Sequence, residues 1–278
     1  ALGAVDYVTK PIRPAILLAR VKAHLELKDA RDRLAQQNDT LEAEVARRVR
    51  ENELIKDISL NALAMLTAKR DNETGNHLLR TQAYITALMN RLVTLPRFRE
   101  ALSPRRRHLI ASAAPLHDIG KVGVPDAILL KPGKLTPVEF DVMKTHARIG
   151  ADALEDAIRR VVGKGWESML AGGDEAPLAF LNVARQIALS HHEKWDGSGY
   201  PSGLVGEAIP LPGRLMAIVD VFDALTCRRH YKEAFSFDQA VAIIDEGRGR
   251  HFDPDLVDAM HACLDEFASI AAHYVDEY

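Results

Sequence analysis

From about Ala23 to Leu66 the chain contains neither proline nor glycine and is rich in Arg, Glu, Leu, Gln and Ala. Those residues are strong helix formers, and without a breaker nothing interrupts an i to i−4 hydrogen-bond ladder. Leu27, Leu34 and Leu41 recur at seven, with Asn38 and Val45 on the adjoining seam, as in a helix that pairs in a coiled coil. Past Val45 the seam is broken by Arg47, Arg48 and Arg50, which mark either a stutter or a solvated face. A signalling helix joining two domains as a dimer and a plain helical spacer both fit this pattern.

On the N-terminal side, Val5-Asp-Tyr-Val-Thr9 is a short β-prone run, followed by Lys10-Pro11 and an apolar helix-like segment with Ile16, Leu17, Leu18, Val21 and Leu25. On the C-terminal side helical periodicity dominates, over Asn76–Val93, Arg105–Ile119, Pro137–Ala157, Leu178–His191, Leu211–Leu225, Phe237–Glu246 and Pro254–Val275. The fold class expected is mostly α. With 278 residues there is material for one large domain plus extensions. A net charge of −3 gives no general attraction to nucleic acid or anionic membrane. The two cysteines, Cys227 and Cys263, stand far apart, which fits a reducing compartment and offers no thiolate metal site. No run approaches the ~20 apolar residues of a membrane span, so membrane insertion is not expected and a cytoplasmic location is. The chain starts at Ala1, as if inside something longer.

Of eleven histidines, five weigh more as a set than singly: His77, His117, His191 and His192, each near a carboxylate or a second histidine, and His146, on a helix with no acid beside it and unremarkable alone. Glu73 and His77 are four apart and share a helix face. In PLHDIGK, His117 is followed by Asp118, whose two oxygens can bridge two cations, and Lys121 lies a turn away as a point charge for a phosphate oxygen. Asp220 and Asp223 interrupt an apolar helix, where carboxylates need a cation or hydrogen bonds. Five imidazoles with Glu73, Asp118 and Asp220 are enough for two divalent ions, and Glu73 would help hold a third. Such N/O ligation suits Fe, Mn, Zn or Ni. Two ions roughly 3.5–4 Å apart would clamp the attacking and leaving oxygens of a phosphodiester. Hydrolysis of a phosphate ester is the expected chemistry.

These motifs resemble the HD-GYP family, a branch of the HD phosphohydrolases that hydrolyses cyclic di-GMP. The resemblance runs through RDNETGNHLLRTQ, APLHDIGKVGVPDAILLKPGKLT, MKTHARIG, SHHEKWDGSGYPSGLVGEAIPLPGRL and DVFDALT. It implies an HD-type helical bundle over residues 66–278, with metal ligands Glu73, His77, His117, Asp118, His146, His191, His192 and Asp220. Iron or manganese are the implied metals, as two or three ions. Catalytic roles fall on Asp118, Lys121 and Asp223, with Asp223 orienting water or relaying a proton. Substrate phosphate contacts fall on Lys121, Arg229 and Lys232. Gly199, Tyr200 and Pro201 are the GYP loop, which shapes access or meets partner proteins such as a GGDEF domain or an adaptor. GAVDYVTKPI with its following helix resembles the end of a response-regulator receiver domain, assigned to residues 1–22, with 23–65 as the helical linker and dimer element. Cyclic di-GMP would be opened to pGpG and onward to GMP. A nucleotide receptor with little turnover, or the same chemistry on pGpG or another cyclic dinucleotide, are the alternatives.

The chain departs from the family at Cys227, where Ser is usual, and at His230, where Pro is usual. Residues 159–177 read as an insertion, expected as a surface loop, and the Gly172-Gly173-Asp174-Glu175 inside it as a coincidental match to a cyclase signature.

Overall fold

Helix capping and proline placement set most of the boundaries in the computed structural model, which describes residues 6–71, 74–227 and 234–276. The chain divides into two compact units between Ile58 and Ser59. Helix α1, Pro14–Arg70, is continuous across that division and longer at both ends than the run free of breakers implied.

In the first unit, residues 6–9 form no strand. A β-prone run is stable only when paired, and no strand forms among the described residues to offer it an edge. Instead Arg20 donates to the Tyr7 carbonyl at 3.0 Å, and His24 lies 3.3 Å from the Asp6 carboxylate, holding this segment on the first turns of α1. Leu27, Leu34, Leu41 and Val45 are all exposed, so the seam read from the sequence is an apolar stripe open to solvent. Arg47 pairs with Glu44 and Glu51, and Arg48 with Glu44, at 2.5–3.0 Å. The arginines that break the seam therefore form a solvated face of local ion pairs rather than an interruption of the helix.

The second unit packs helices α2 (Gly75–Leu92), α3 (Pro104–Ala113), α4 (Pro137–Val162), α5 (Ala179–Ser190) and α6 (Leu211–Thr226), followed by α7 (Phe237–Glu246), α8 (Pro254–His261) and α9 (Leu264–His273). The last two occupy what periodicity read as one helix. Capping boxes start α4 (Thr136 with Glu139) and α7 (Ser236 with Gln239). The core centres on Tyr84, Phe222 and Phe267, all fully buried, with Tyr84 stacked on Phe267 at 4.5 Å and Phe222 edge-on to both. Among the described residues no strand forms, only isolated bridges at Asp196–Val205 and Arg248–Phe252.

One break matters for function. Periodicity read a helix over Arg105–Ile119, but α3 stops at Ala113 and the chain tightens into 3-10 turns at Ala114–Leu116 and Ile119–Gly123. Pro115 has no N–H to donate and its ring crowds the preceding turn, so an α-helix cannot continue through it. His117 and Asp118 thus sit between two tight turns. Gly120 lets this loop touch α4: a Cβ there would come within 1.9 Å of the His146 carbonyl and 2.4 Å of the Gly150 nitrogen.

The 159–177 segment is not a free surface loop. Helix α4 runs into it, a short helix spans Trp166–Ala171, and Asp174 accepts from Ser103 at 3.2 Å and from Arg106 at 3.1 Å at the start of α3. The match to a cyclase signature therefore has a local structural use, as an anchor.

Candidate metal centre

His77 enters from the first turn of α2, where Thr74 caps the helix. His117 and Asp118 come from the 3-10 loop, His146 from the middle of α4, His191 and His192 from the end of α5, and Asp220 and Asp223 from α6. Three of the imidazoles are oriented by backbone carbonyls. The His117 Nδ1 lies 3.0 Å from the Ala114 carbonyl, the His146 Nδ1 2.7 Å from the Met143 carbonyl, and the His191 Nδ1 3.0 Å from the Ile187 carbonyl. A carbonyl only accepts, so each Nδ1 carries the proton and each Nε2 keeps its lone pair for a cation.

Two clusters result. In one, Asp118, His146, His191 and His192 bring their donor atoms within 4.8 Å of one another; in the other, His77, His117 and Asp220 do the same. Asp118 faces both. Its Oδ1 lies 3.3 Å from the His146 Nε2 and 3.5 Å from the His191 Nε2, while its Oδ2 lies 3.2 Å from the His117 Nε2. Asp220 stands 3.8 Å from the Nε2 of both His77 and His117. The buried Asp118 Oδ1 has no hydrogen-bond partner, a costly omission that a cation would cure. Carboxylates and lone-pair nitrogens without sulfur, around one shared aspartate, fit a pair of divalent cations.

Protonation supports this state. Burial alone would raise the Asp118 carboxyl, but Lys121 and His117 beside it hold it well below the usual carboxylate range. Burial pushes His146 down to about 4 against the pull of Asp118, and burial with His191 beside it pushes His192 well below its ordinary value. Both rings are neutral near pH 7, as metal ligation requires. His192 and Asp220 are the partly exposed members, so the site opens to solvent on their side.

Asp223, expected to orient water or relay a proton, is buried behind His77. Its Oδ2 accepts from the His77 Nδ1 at 2.8 Å, and it takes two further bonds from Arg80 at 2.6 and 3.1 Å. Lys121 pairs with the Asp118 Oδ2 at 2.7 Å and with the Asp71 carboxylate. Glu73, Arg229 and Lys232 lie outside the described residues.

The Gly199-Tyr200-Pro201 loop lies against the His191–His192 edge. The Tyr200 N–H donates to the His192 carbonyl at 3.2 Å, and its ring lies 4.7 Å from the His192 ring. Gly199 makes this closure possible, since a Cβ there would meet the Lys194 nitrogen at 2.3 Å. Two residues that sequence reasoning passed over hold the arrangement. Glu193, buried, accepts from the Ser202 and Leu204 N–H groups at 2.7 and 3.0 Å and closes the loop. Arg80, also buried, carries Asp223. Both had a signal: an acid directly after the histidine pair, and a charge on the otherwise apolar face of α2.

Residues 32–256 match the family model described as HD domain. The chain is 53% identical over 276 residues to a probable cyclic di-GMP phosphodiesterase of Vibrio cholerae serotype O1, covering 99% of this chain and 60% of that protein. It is 41% identical over 258 residues to the cyclic di-GMP phosphodiesterase response regulator RpfG of Xanthomonas campestris pv. campestris, covering 93% of this chain and 61% of that protein. A 3'3'-cGAMP-specific phosphodiesterase 2 of Vibrio cholerae is 38% identical over 224 residues, covering 81% of this chain and 38% of that protein. The chain thus spans less than two thirds of the length of these relatives. No helix of the described residues is long and apolar enough to cross a membrane. With the family model matched over most of its length, the chain belongs to the HD-domain family.

Proposed function

We propose that this chain is a metal-dependent phosphodiesterase that opens cyclic di-GMP to linear pGpG and carries the product on to GMP. The observation that carries the reading is Asp118, one carboxylate shared by two clusters of lone-pair nitrogens. The relatives named as cyclic di-GMP phosphodiesterases supply the substrate class.

His77, His117 and Asp220 would hold one divalent ion, and His146, His191 and His192 the other, with Asp118 between them and Glu73 adding a ligand for a two- or three-ion centre. Iron or manganese is the metal, with zinc or nickel compatible with the same donors. When bound, these ions would supply Lewis acidity toward a phosphate oxygen and acidify water. The chain's own residues do the rest. Lys121 offers a fixed positive charge to the phosphate as negative charge develops on it. Arg229 and Lys232 hold the distal phosphate. Asp223 acts through His77 rather than on substrate: it accepts the Nδ1 proton and so aims Nε2 into the centre. The Tyr200 loop walls the His192 side and is the surface offered to a partner protein.

The domain would serve as the output of a response regulator in the cytoplasm, paired with a second copy through α1. A second reading changes only the substrate, to a 3'3' cyclic GMP-AMP, on the strength of the relative of that specificity. Product analysis separates them. Protein loaded anaerobically with Fe(II) or Mn(II) is given each dinucleotide, and nucleotides are resolved by chromatography over time. Cyclic di-GMP converted to pGpG, with no conversion by Asp118→Ala, is the expected result. Turnover confined to cyclic GMP-AMP would replace the substrate, and nucleotide binding without turnover under either metal would leave a receptor.

A further inference from the structure

The last turn of α1 is fastened to the loop that carries Asp118 and Lys121. Arg70 donates through Nη2 to the Val124 carbonyl at 3.0 Å and to Asp126 at 2.8 Å, and through Nη1 to the Val122 carbonyl. The next residue, Asp71, pairs its carboxylate with the Lys121 ammonium, which also lies 2.7 Å from the Asp118 Oδ2. The Asp71 N–H closes α1 by donating to the Thr67 and Ala68 carbonyls. Thr67, Ala68 and Asp71 line one small cavity together with Pro115, His117, Asp118 and Lys121. Four polar contacts therefore join the end of α1 to the segment from Lys121 to Asp126, and nothing in the chemistry of the metal ligands themselves requires them.

A lysine head on four rotatable carbons has no preferred position of its own. Held between carboxylates from two different elements, it has one. We propose that Asp71, supported by Arg70, is a positioning residue: it fixes the Lys121 ammonium beside Asp118, where a phosphate oxygen of the substrate arrives. This rests on the phosphodiesterase reading for the role of Lys121. The same latch makes the placement of the last turn of α1 a determinant of rate.

The test is a double-substitution cycle, Asp71→Asn with Lys121→Met, each also made singly, on the full chain. Hydrolysis of cyclic di-GMP and of bis(p-nitrophenyl) phosphate is measured, together with bound metal and the affinity of the metal-loaded protein for inorganic phosphate. Asp71→Asn is expected to lower kcat about 10- to 100-fold, the size of effect that misplacing a catalytic group produces. Bound metal stays unchanged, and Asp71→Glu recovers part of the rate. In the Lys121→Met background the same change should alter kcat less than about twofold, because acting through one lysine makes the effects non-additive. Equal losses in both backgrounds would overturn the latch, as would a loss explained by missing metal. Hydrolysis of bis(p-nitrophenyl) phosphate with cyclic di-GMP untouched would remove the substrate assignment while the cycle still reads the latch. If neither ester is cleaved, the phosphate affinities are compared in the same cycle: non-additive weakening supports the latch, and additive weakening or absent phosphate binding overturns it. Asp71→Ser carries the identical cycle should Asp71→Asn fail to fold.

Discussion

Replacing Arg80 by Met tests the buried charge system behind His77. The guanidinium is 2% exposed, gives Asp223 bonds of 2.6 and 3.1 Å, donates to the Tyr274 carbonyl at 2.7 Å and pairs with Asp276 at 3.1 Å. Methionine fills much of the volume but returns none of these. Burial by itself raises the Asp223 carboxyl; the hydrogen bonds from His77 and Arg80 bring it below its ordinary value. Breaking a buried pair from one side costs about 3–5 kcal/mol, because the remaining carboxylate has lost its compensation. Urea unfolding of metal-free protein should show that loss. A folded-state value below the unfolded one means that Asp223 contributes stability above the unfolded carboxylate range and loses it as pH falls through the folded value. Without Arg80 the folded value rises, so acid destabilisation should begin at higher pH. Without Arg80 the Asp223 carboxylate is held less firmly and aligns His77 less well, so metal affinity should fall about 10- to 100-fold, as for other partners of ligating histidines. Substituting Asp223→Leu in the same chain should cost less than the sum of the two, since the Asp223 charge is then no longer left without Arg80. An Arg80→Met protein within about 1 kcal/mol of wild type, binding metal as tightly, would refute the reasoning.

Tyr84 is fully buried and its hydroxyl has no hydrogen-bond partner; Tyr84→Phe should therefore be neutral or stabilising by about 1 kcal/mol in urea unfolding, and a loss above that would show a partner for the hydroxyl. Burial, then Lys194 nearby, pushes His251 down to about 4, so protons bind the unfolded chain more readily between the unfolded value of 6.5 and the folded one. Stability is complete above that window and falls as pH drops through it; His251→Gln should flatten this slope in thermal unfolding at pH 7 and pH 5, and an unchanged slope would assign it to other groups. Leu34 and Leu41 lie exposed on one stripe of α1; Leu34→Lys with Leu41→Lys should convert a dimer to a monomer by sedimentation, whereas a wild-type monomer at high micromolar concentration would remove the pairing.

What could be read without coordinates was local. Helix formers without breakers from Ala23 to Leu66 state a long helix wherever the chain goes, and the spacing of His77, His117, Asp118, His146, His191, His192 and Asp220 states a donor set of N and O atoms. Both follow from residue type and covalent spacing. Local reading failed where a neighbour in space decides. A β-prone run at residues 6–9 needs a second strand to pair with, and finds none among the described residues. Apolar periodicity continues on either side of Pro115, yet its missing N–H is what turns His117 and Asp118 out of a helix. Asp220 and Asp223 look equivalent along α6, yet three residues along a helix change both depth and neighbours: one stands 3.8 Å from two imidazole Nε2 atoms and the other behind a ring, on Arg80. Only packing brought Asp71 at the end of α1 to Lys121, and α4 through Gly120 to Asp118, because a contact between elements is set by where whole faces come to rest and not by the spacing within either one.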